Sequence, residues 1–369
     1  MNEQVAKARL KAVRKQMKEK GFDALVLLCN ENLTYMTGFT GHESALVIAR
    51  SGMTMVTDSR YTEQAMGECF ACKYYEHAKG LAKGVGEVLA RFKNIETVGL
   101  ETRCSYAAFD LLKKEIRKAT KAKVKPASGL PEAVRRTKND DEAKNVQRAG
   151  KIAFKALEET LGQVRVGITE KELGGLLDFT MRKMGSQAGF ETIMAFGPNC
   201  SRNHHQPGSR KLRKNDTILI DWGARYNSYT SDTTRSLAVG KVNKQHEKIY
   251  YAVLEANLAG IEACKPGASL REVDAACRQV LRKHDVPVFK HGTGHGLGLE
   301  VHEAPSFSPR AKGVLKAGDI VTIEPGCYIA GKMGVRIEDD VLITDKGHKV
   351  LTKDKGFSFA KEKLQVIKV

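Results

Sequence analysis

Apolar residues in the first twenty positions recur at helical spacing, with Val5, Leu10, Val13 and Met17 on one side, which predicts an amphipathic helix over 1–20. Short apolar runs follow at 23–28 (DALVLL), 45–49 (ALVIA), 53–58 (MTMVTD) and 98–100 (VGL). Bounded by Gly, Asn, Asp or Ser, they read as strands. A second helical pattern covers 104–119, so residues 1–132 are expected to form a mixed α/β domain. Pro126, Pro131 and a dense charge run within 125–143 mark a linker, placed at 133–143. In the remaining domain, 144–369, helical periodicity returns first, through Val146, Ala149, Ile152, Ala153 and Leu157.

From there the chain is written twice. GITEKEL (167–173) recurs as GASLREV (267–273), His204-His-Gln-Pro207 as His302-Glu-Ala-Pro305, and NDTILIDWG (215–223) as GDIVTIEPG (318–326), at offsets of 100, 98 and 103 residues. Thr169 with Glu172 and Ser269 with Glu272 have capping-box spacing, so a helix should start at each. The expected architecture is α/β (α+β): an N-terminal domain, then two ααβ-type halves related by a pseudo-twofold axis, with a cleft between the halves.

Each half also carries an acidic hairpin. A turn centred between Tyr226 and Asn227 puts Asp221 opposite Asp232, and one centred on Gly331 puts Glu324 opposite Glu338. Side chains so opposed lie about 4.5–5.5 Å apart at Cβ, where two acids repel. Two such pairs at equivalent places call for cations. Four carboxylates balance two divalent ions, and oxygen donors favour Mn²⁺, with Co²⁺ or Zn²⁺ as alternatives. The competing reading is neutralisation by Arg225, Arg235 or Arg336. Asp339 and Asp340 read as ending a strand. HGTGHGLGLEVHEAP (291–305) fits neither a zinc helix nor a phosphate loop: glycines at 292, 294, 296 and 298 oppose a helix, and no lysine follows them.

Composition narrows the function classes. The net charge of +18 is dispersed and no helix-turn-helix, zinc-finger or RNP-like motif accompanies it, so specific nucleic-acid binding is not expected. No apolar run approaches the ~18 residues of a membrane span, and the N-terminus lacks the apolar core of a secretory signal. A cytoplasmic location is expected, and with it eight free thiols. Cys69-Phe-Ala-Cys72 is a lone CxxC, read as structural. His205, His246, His284 and His348 read as surface histidines.

The motifs IDWG, SDTTRS, HGTGHGLGLEVHEAP, IEPG and VRIED, with NENLTYMTGFTG (30–41) and DSRY (58–61) upstream, resemble the pita-bread metallopeptidases. The branch is that of Xaa-Pro aminopeptidases, Xaa-Pro dipeptidases (prolidases) and creatinase. The resemblance implies a creatinase/prolidase-like N-terminal domain, a duplicated catalytic domain and a homodimer acting on small Xaa-Pro peptides. It implies two metals on Asp221, Asp232, His295, Glu324 and Glu338, with a metal-bridging hydroxide as nucleophile. Glu324 would move the proton. His204 and His302 would hold substrate, with His291 as helper and Arg336 and Tyr328 at the substrate side. The glycines would let the backbone pass close to metals and substrate. Asn203 stands where the family has proline, and Trp222 where phenylalanine is commoner. The alternatives are a silent binding module using its basic surface and a creatinase-like hydrolase of a non-peptide substrate. The intact five-residue set argues against both.

Overall fold

The first helix, α1 (Glu3–Glu19), is capped by the Asn2 side chain and buries Ala6, Leu10, Val13 and Met17. Ala6 rather than Val5 begins the buried stripe, one residue round the helix. The computed structural model describes residues 1–352 and 363–368, and the chain divides into two units, Met1–Arg135 and Arg136–Val369. The first unit continues with β1 (Ala24–Leu27), α2 (Asn30–Thr37), β2 (Ala45–Ala49), β3 (Met53–Thr57), α3 (Thr62–Glu68) and β4 (Lys73–Glu76). It ends with α4 (Leu81–Leu89), β5 (Thr97–Glu101), α5 (Tyr106–Thr120), β6 (Lys123–Ala127) and α6 (Leu130–Arg135). Its sheet has the order β4-β3-β2-β1-β5-β6, with Val26, Val47, Val56, Val98 and Leu100 in the core.

The stretch expected to be a linker is largely regular structure. Pro126 sits in β6, an edge strand, where a missing N–H is tolerated, and Pro131 lies in the first turn of α6. The next helix, α7 (Asp140–Leu161), begins at an Asn139–Glu142 capping box. Only 136–139 connects α6 to it.

The second unit is a duplication. After α7 come α8 (Glu170–Lys183), β7 (Gln187–Ala188), β8 (Ile193–Phe196), β9 (Thr217–Trp222), β10 (Ala224–Tyr226), β11 (Tyr229–Thr230) and β12 (Thr233–Val239). The second half has α9 (Lys244–Glu262), α10 (Leu270–Lys283), β13 (Gly294–Gly296), β14 (Glu303–Phe307) and β15 (Ile320–Ile323). It closes with β16 (Gly326–Ile329), β17 (Met333–Arg336), β18 (Asp339–Ile343) and β19 (His348–Val350), while β20 (Val366–Ile367) joins β12. In the sheets β20-β12-β9-β8 and β14-β13-β15-β18-β19, the trio β8, β9, β12 corresponds to β13, β15, β18. The correspondence extends to single bonds: the amides of Gly167 and Gly267 donate to Leu212 and Leu315, and those of Arg213 and Lys316 to Asp216 and Asp319. The caps differ. Thr169 and Glu172 form the reciprocal box, but the Ser269 side chain makes no cap bond.

Trp222, at the end of β9, is fully buried; its indole N–H donates to the Ala153 carbonyl at 2.9 Å and its ring meets Phe154 edge-on at 5.3 Å. Trp222→Ala removes this packing and leaves a buried carbonyl short of a donor. A loss of about 3–5 kcal/mol in urea unfolding is expected.

His246, expected at the surface, is buried in α9 with neither ring nitrogen hydrogen-bonded among the described residues, and burial pushes its pKa down to about 4. The unfolded chain therefore takes up a proton near pH 6.5 that the folded chain refuses until about pH 4. Stability from this residue is present above 6.5 and is lost as pH falls through that window, by roughly 3 kcal/mol in all. His246→Leu should remove that part of the acid sensitivity, read as the difference in urea midpoint between pH 7 and 4.5.

Candidate active site

The two acidic hairpins are present, one with a corrected register. Asp221 pairs with Thr234 and Trp222 with Thr233, so the first turn centres between Asn227 and Ser228. Both residues have positive φ, 47° and 69°, as a type I′ turn requires. The correction moves each partner by two positions. Because side-chain period is two, Asp232 remains on the face of Asp221, as a diagonal neighbour rather than a direct one. In the second half Ile323↔Asp339 and Gly326↔Arg336 share one register, which sets Glu324 across from Glu338.

The structure brings Asp221, Asp232, His295, Glu324 and Glu338 to one cavity of about 620 Å³, with His204, His291, His302 and Arg336 also on its wall. Asp232, His295 and Glu338 alone offer three donor atoms within 4.8 Å of one another. The His295 ring sets its own tautomer: Nδ1 faces the Gly296 carbonyl at 3.1 Å, and a carbonyl only accepts. Burial holds the imidazole neutral, so the Nε2 lone pair points at Asp232 (3.6 Å) and Glu324 (3.4 Å). With both carboxyls ionised, acceptor faces acceptor. Asp221 Oδ1 and Glu338 Oε1 are likewise buried with no hydrogen-bond partner among the described residues. Burial, then neighbouring acids, pushes the carboxyls of Asp232 and Glu338 well above the usual range. Burial takes Glu324 to about 7, against the pull of Arg336.

Among the described residues Arg336 is the one guanidinium on this wall. It donates to Asp221 Oδ2 (2.5 Å), Thr234 Oγ1 (3.0 Å), Tyr328 Oη (3.0 Å) and the Asn203 carbonyl (3.3 Å). Of the other arginines weighed as neutralisers, Arg235 binds Asp339 and the Glu338 carbonyl, and Arg225 reaches the Gly189 carbonyl. Arginine thus meets one of the four acids. Thr234 Oγ1 also donates to Glu338 Oε2 at 2.6 Å, which makes it a shared support for both halves. It escaped the sequence reading because the misplaced turn hid that it faces Asp221.

Several expectations change. Tyr328 does not line the cavity; its hydroxyl accepts from Arg336 and lies 3.1 Å from His291 Nε2. Asp339 and Asp340 begin β18 rather than end a strand, and both are buried; Asp340 Oδ2 accepts from the Asp232 amide at 3.2 Å. His205 is buried against the buried Glu170 at 2.8 Å, and Glu170 also accepts from the Phe196 and Gly208 amides. That knot fixes the loop on which His204 stands exposed. The glycines serve strand packing more than ligand access: a Cβ on Gly294 would meet the Thr322 carbonyl oxygen at 1.9 Å, and one on Gly296 the Ala304 carbonyl oxygen at 2.3 Å. His302 is exposed with its ring 4.3 Å from that of His295, while His291 is sunk beside Phe289, and burial lowers its pKa to about 4.

A duplicated α/β unit that gathers four acids and one neutral imidazole in a cavity has the donor set of a metal-dependent hydrolase. Residues 144–345 match Metallopeptidase family M24, and residues 9–137 match the Creatinase/Prolidase N-terminal domain. The chain belongs to metallopeptidase family M24. The structure is similar to the Xaa-Pro dipeptidase from Bacillus anthracis, with a TM-score of 0.91 and 34% identity over 98% of this chain and 100% of that one. It is also similar to the X-Pro aminopeptidase from Thermotoga maritima, with a TM-score of 0.85 and 30% identity over 96% and 100%. An uncharacterised peptidase of Bacillus subtilis is 35% identical over 350 residues, 93% of this chain and 97% of its own.

Proposed function

We propose that this chain hydrolyses the peptide bond before proline in Xaa-Pro dipeptides, using two divalent ions held by Asp221, Asp232, His295, Glu324 and Glu338. One observation carries the reading: Asp221, Asp232, Glu324 and Glu338 cluster on one cavity wall, two of them with a buried oxygen that has no partner among the described residues, and the lone pair of a neutral imidazole faces two of the four. Four carboxylates against one guanidinium leave a deficit that two divalent cations offset, and an oxygen-rich donor set favours Mn²⁺. The family, and the dipeptidase and aminopeptidase among its similar structures, support the substrate class.

When bound, the ions supply the Lewis acidity that brings the pKa of water toward neutrality. The chain's own residues do the rest. Glu324 takes a proton from the attacking water and delivers it to the proline nitrogen. That nitrogen has no N–H in the substrate and leaves as an amine only when protonated. His204 and His302 on the cavity wall hold the scissile carbonyl and the proline carboxylate. Arg336 fixes Asp221 and, through the Asn203 carbonyl, the loop bearing His204.

The Mn²⁺-loaded chain should cleave Ala-Pro roughly tenfold or more faster, in kcat/KM, than Ala-Ala or Ala-Pro-Ala. Preference for the tripeptide would make it an aminopeptidase. Failure to cleave any prolyl peptide would refute the reading.

A further inference from the structure

Hydrolysis leaves the Cys69-Phe-Ala-Cys72 segment without a task. It forms the turn between α3 and β4, in the first unit. The Cys69 amide closes α3 by donating to the Ala65 carbonyl at 3.1 Å, and the Phe70 amide donates to the Thr37 carbonyl at 2.9 Å. Ala71 has a φ of +52°, the left-handed region that costs a residue with a Cβ about 1–2 kcal/mol. That reversal sets Cys69 and Cys72 at the two ends of one turn, where each thiol perturbs the other, and Cys72 Sγ donates to the Lys73 carbonyl at 3.1 Å. Both cysteines are partly exposed, whereas Cys29, Cys200, Cys264, Cys277 and Cys327 are buried.

We propose that Cys69 and Cys72 form a dithiol–disulfide redox pair, a modification site oxidised by small-molecule disulfides of the glutathione type. The roles of the two sulfurs are unequal. Once Cys69 ionises, the single Cys72 proton can turn from the Lys73 carbonyl to the Cys69 sulfur; that contact lowers the Cys69 pKa, while the same contact and burial push Cys72 up, so Cys69 is the attacking thiolate. The Cys69 thiolate attacks one sulfur of the disulfide, forming a mixed disulfide and releasing one thiolate. Cys72 then gives its proton to solvent and attacks the Cys69 sulfur, which expels the second thiolate. The protein loses two electrons and two protons, and one disulfide becomes two thiols.

The test uses the full chain equilibrated in glutathione buffers from reducing to oxidising, quenched in acid, alkylated and mapped by mass spectrometry. The peptide holding Cys69 and Cys72 should pass directly from doubly alkylated to internally bridged. Cys104, the other partly exposed cysteine, serves as the control and should gain only glutathione adducts. Cys72→Ser should stop at a glutathione adduct on Cys69, and Cys69→Ser should leave Cys72 reacting about tenfold or more slowly. The proposal is overturned if the wild-type pair stays alkylatable at the oxidising end, or collects separate adducts without bridging.

Discussion

Asp232→Asn should lower kcat/KM on Ala-Pro by a factor on the order of 10³, while making the metal-free chain more stable by about 1–2 kcal/mol. Both effects come from removing one charge without changing shape. The amide leaves the backbone bond to Asp340 in place but takes an anionic donor from between His295 and Glu338. In the metal-free chain that carboxylate is a liability. Its pKa is held well above the usual carboxylate range, first by burial and then by Glu338 and Asp221. An acid whose folded pKa is raised binds its proton more tightly in the folded state, so it costs stability as pH climbs above the unfolded value. The gain from asparagine should therefore be absent near pH 4 and grow toward pH 7, measured by urea unfolding in chelator. An unchanged or lower stability at pH 7 would show that the acids do not oppose folding.

Arg336→Ala has the second largest expected effect, about 3–5 kcal/mol of stability and about 100-fold in activity. The guanidinium is buried and spends its donors on four groups from three parts of the second unit: Asp221, Thr234, Tyr328 and Asn203. Without it Asp221 faces three other acids with no counter-charge, and the loop before His204 loses its anchor. Arg336→Lys keeps the charge but not the fork, so it should fall between wild type and alanine on both scales. A variant that unfolds like wild type and loses only turnover would mean that Arg336 acts on substrate instead.

What was legible in the sequence follows from how robust each signal is. The acid pairs survived an error in the turn because the shift was even, and an even shift keeps every side chain on its face. The same error cost Thr234, whose role depends on which residue it faces. The repeat located both halves because its periodicity is long-range, yet it could not say that Thr169 uses its cap and Ser269 does not. Pro126 looked like linker because proline breaks an interior strand; at a sheet edge it breaks nothing. His205 and His246 were placed at the surface because a lone histidine carries no pattern. One is buried by a carboxylate 35 residues earlier and the other in an apolar helix face, and neither fact is local in sequence.

The most direct test of the central claim is a metal titration of the chelator-treated chain, with Ala-Pro hydrolysis followed against equivalents of Mn²⁺. No activity is expected without metal, and the rise should saturate as two ions bind per chain. Saturation at two equivalents should be lost in Asp232→Asn. Full hydrolysis in excess chelator, or no hydrolysis at any metal load, would contradict it.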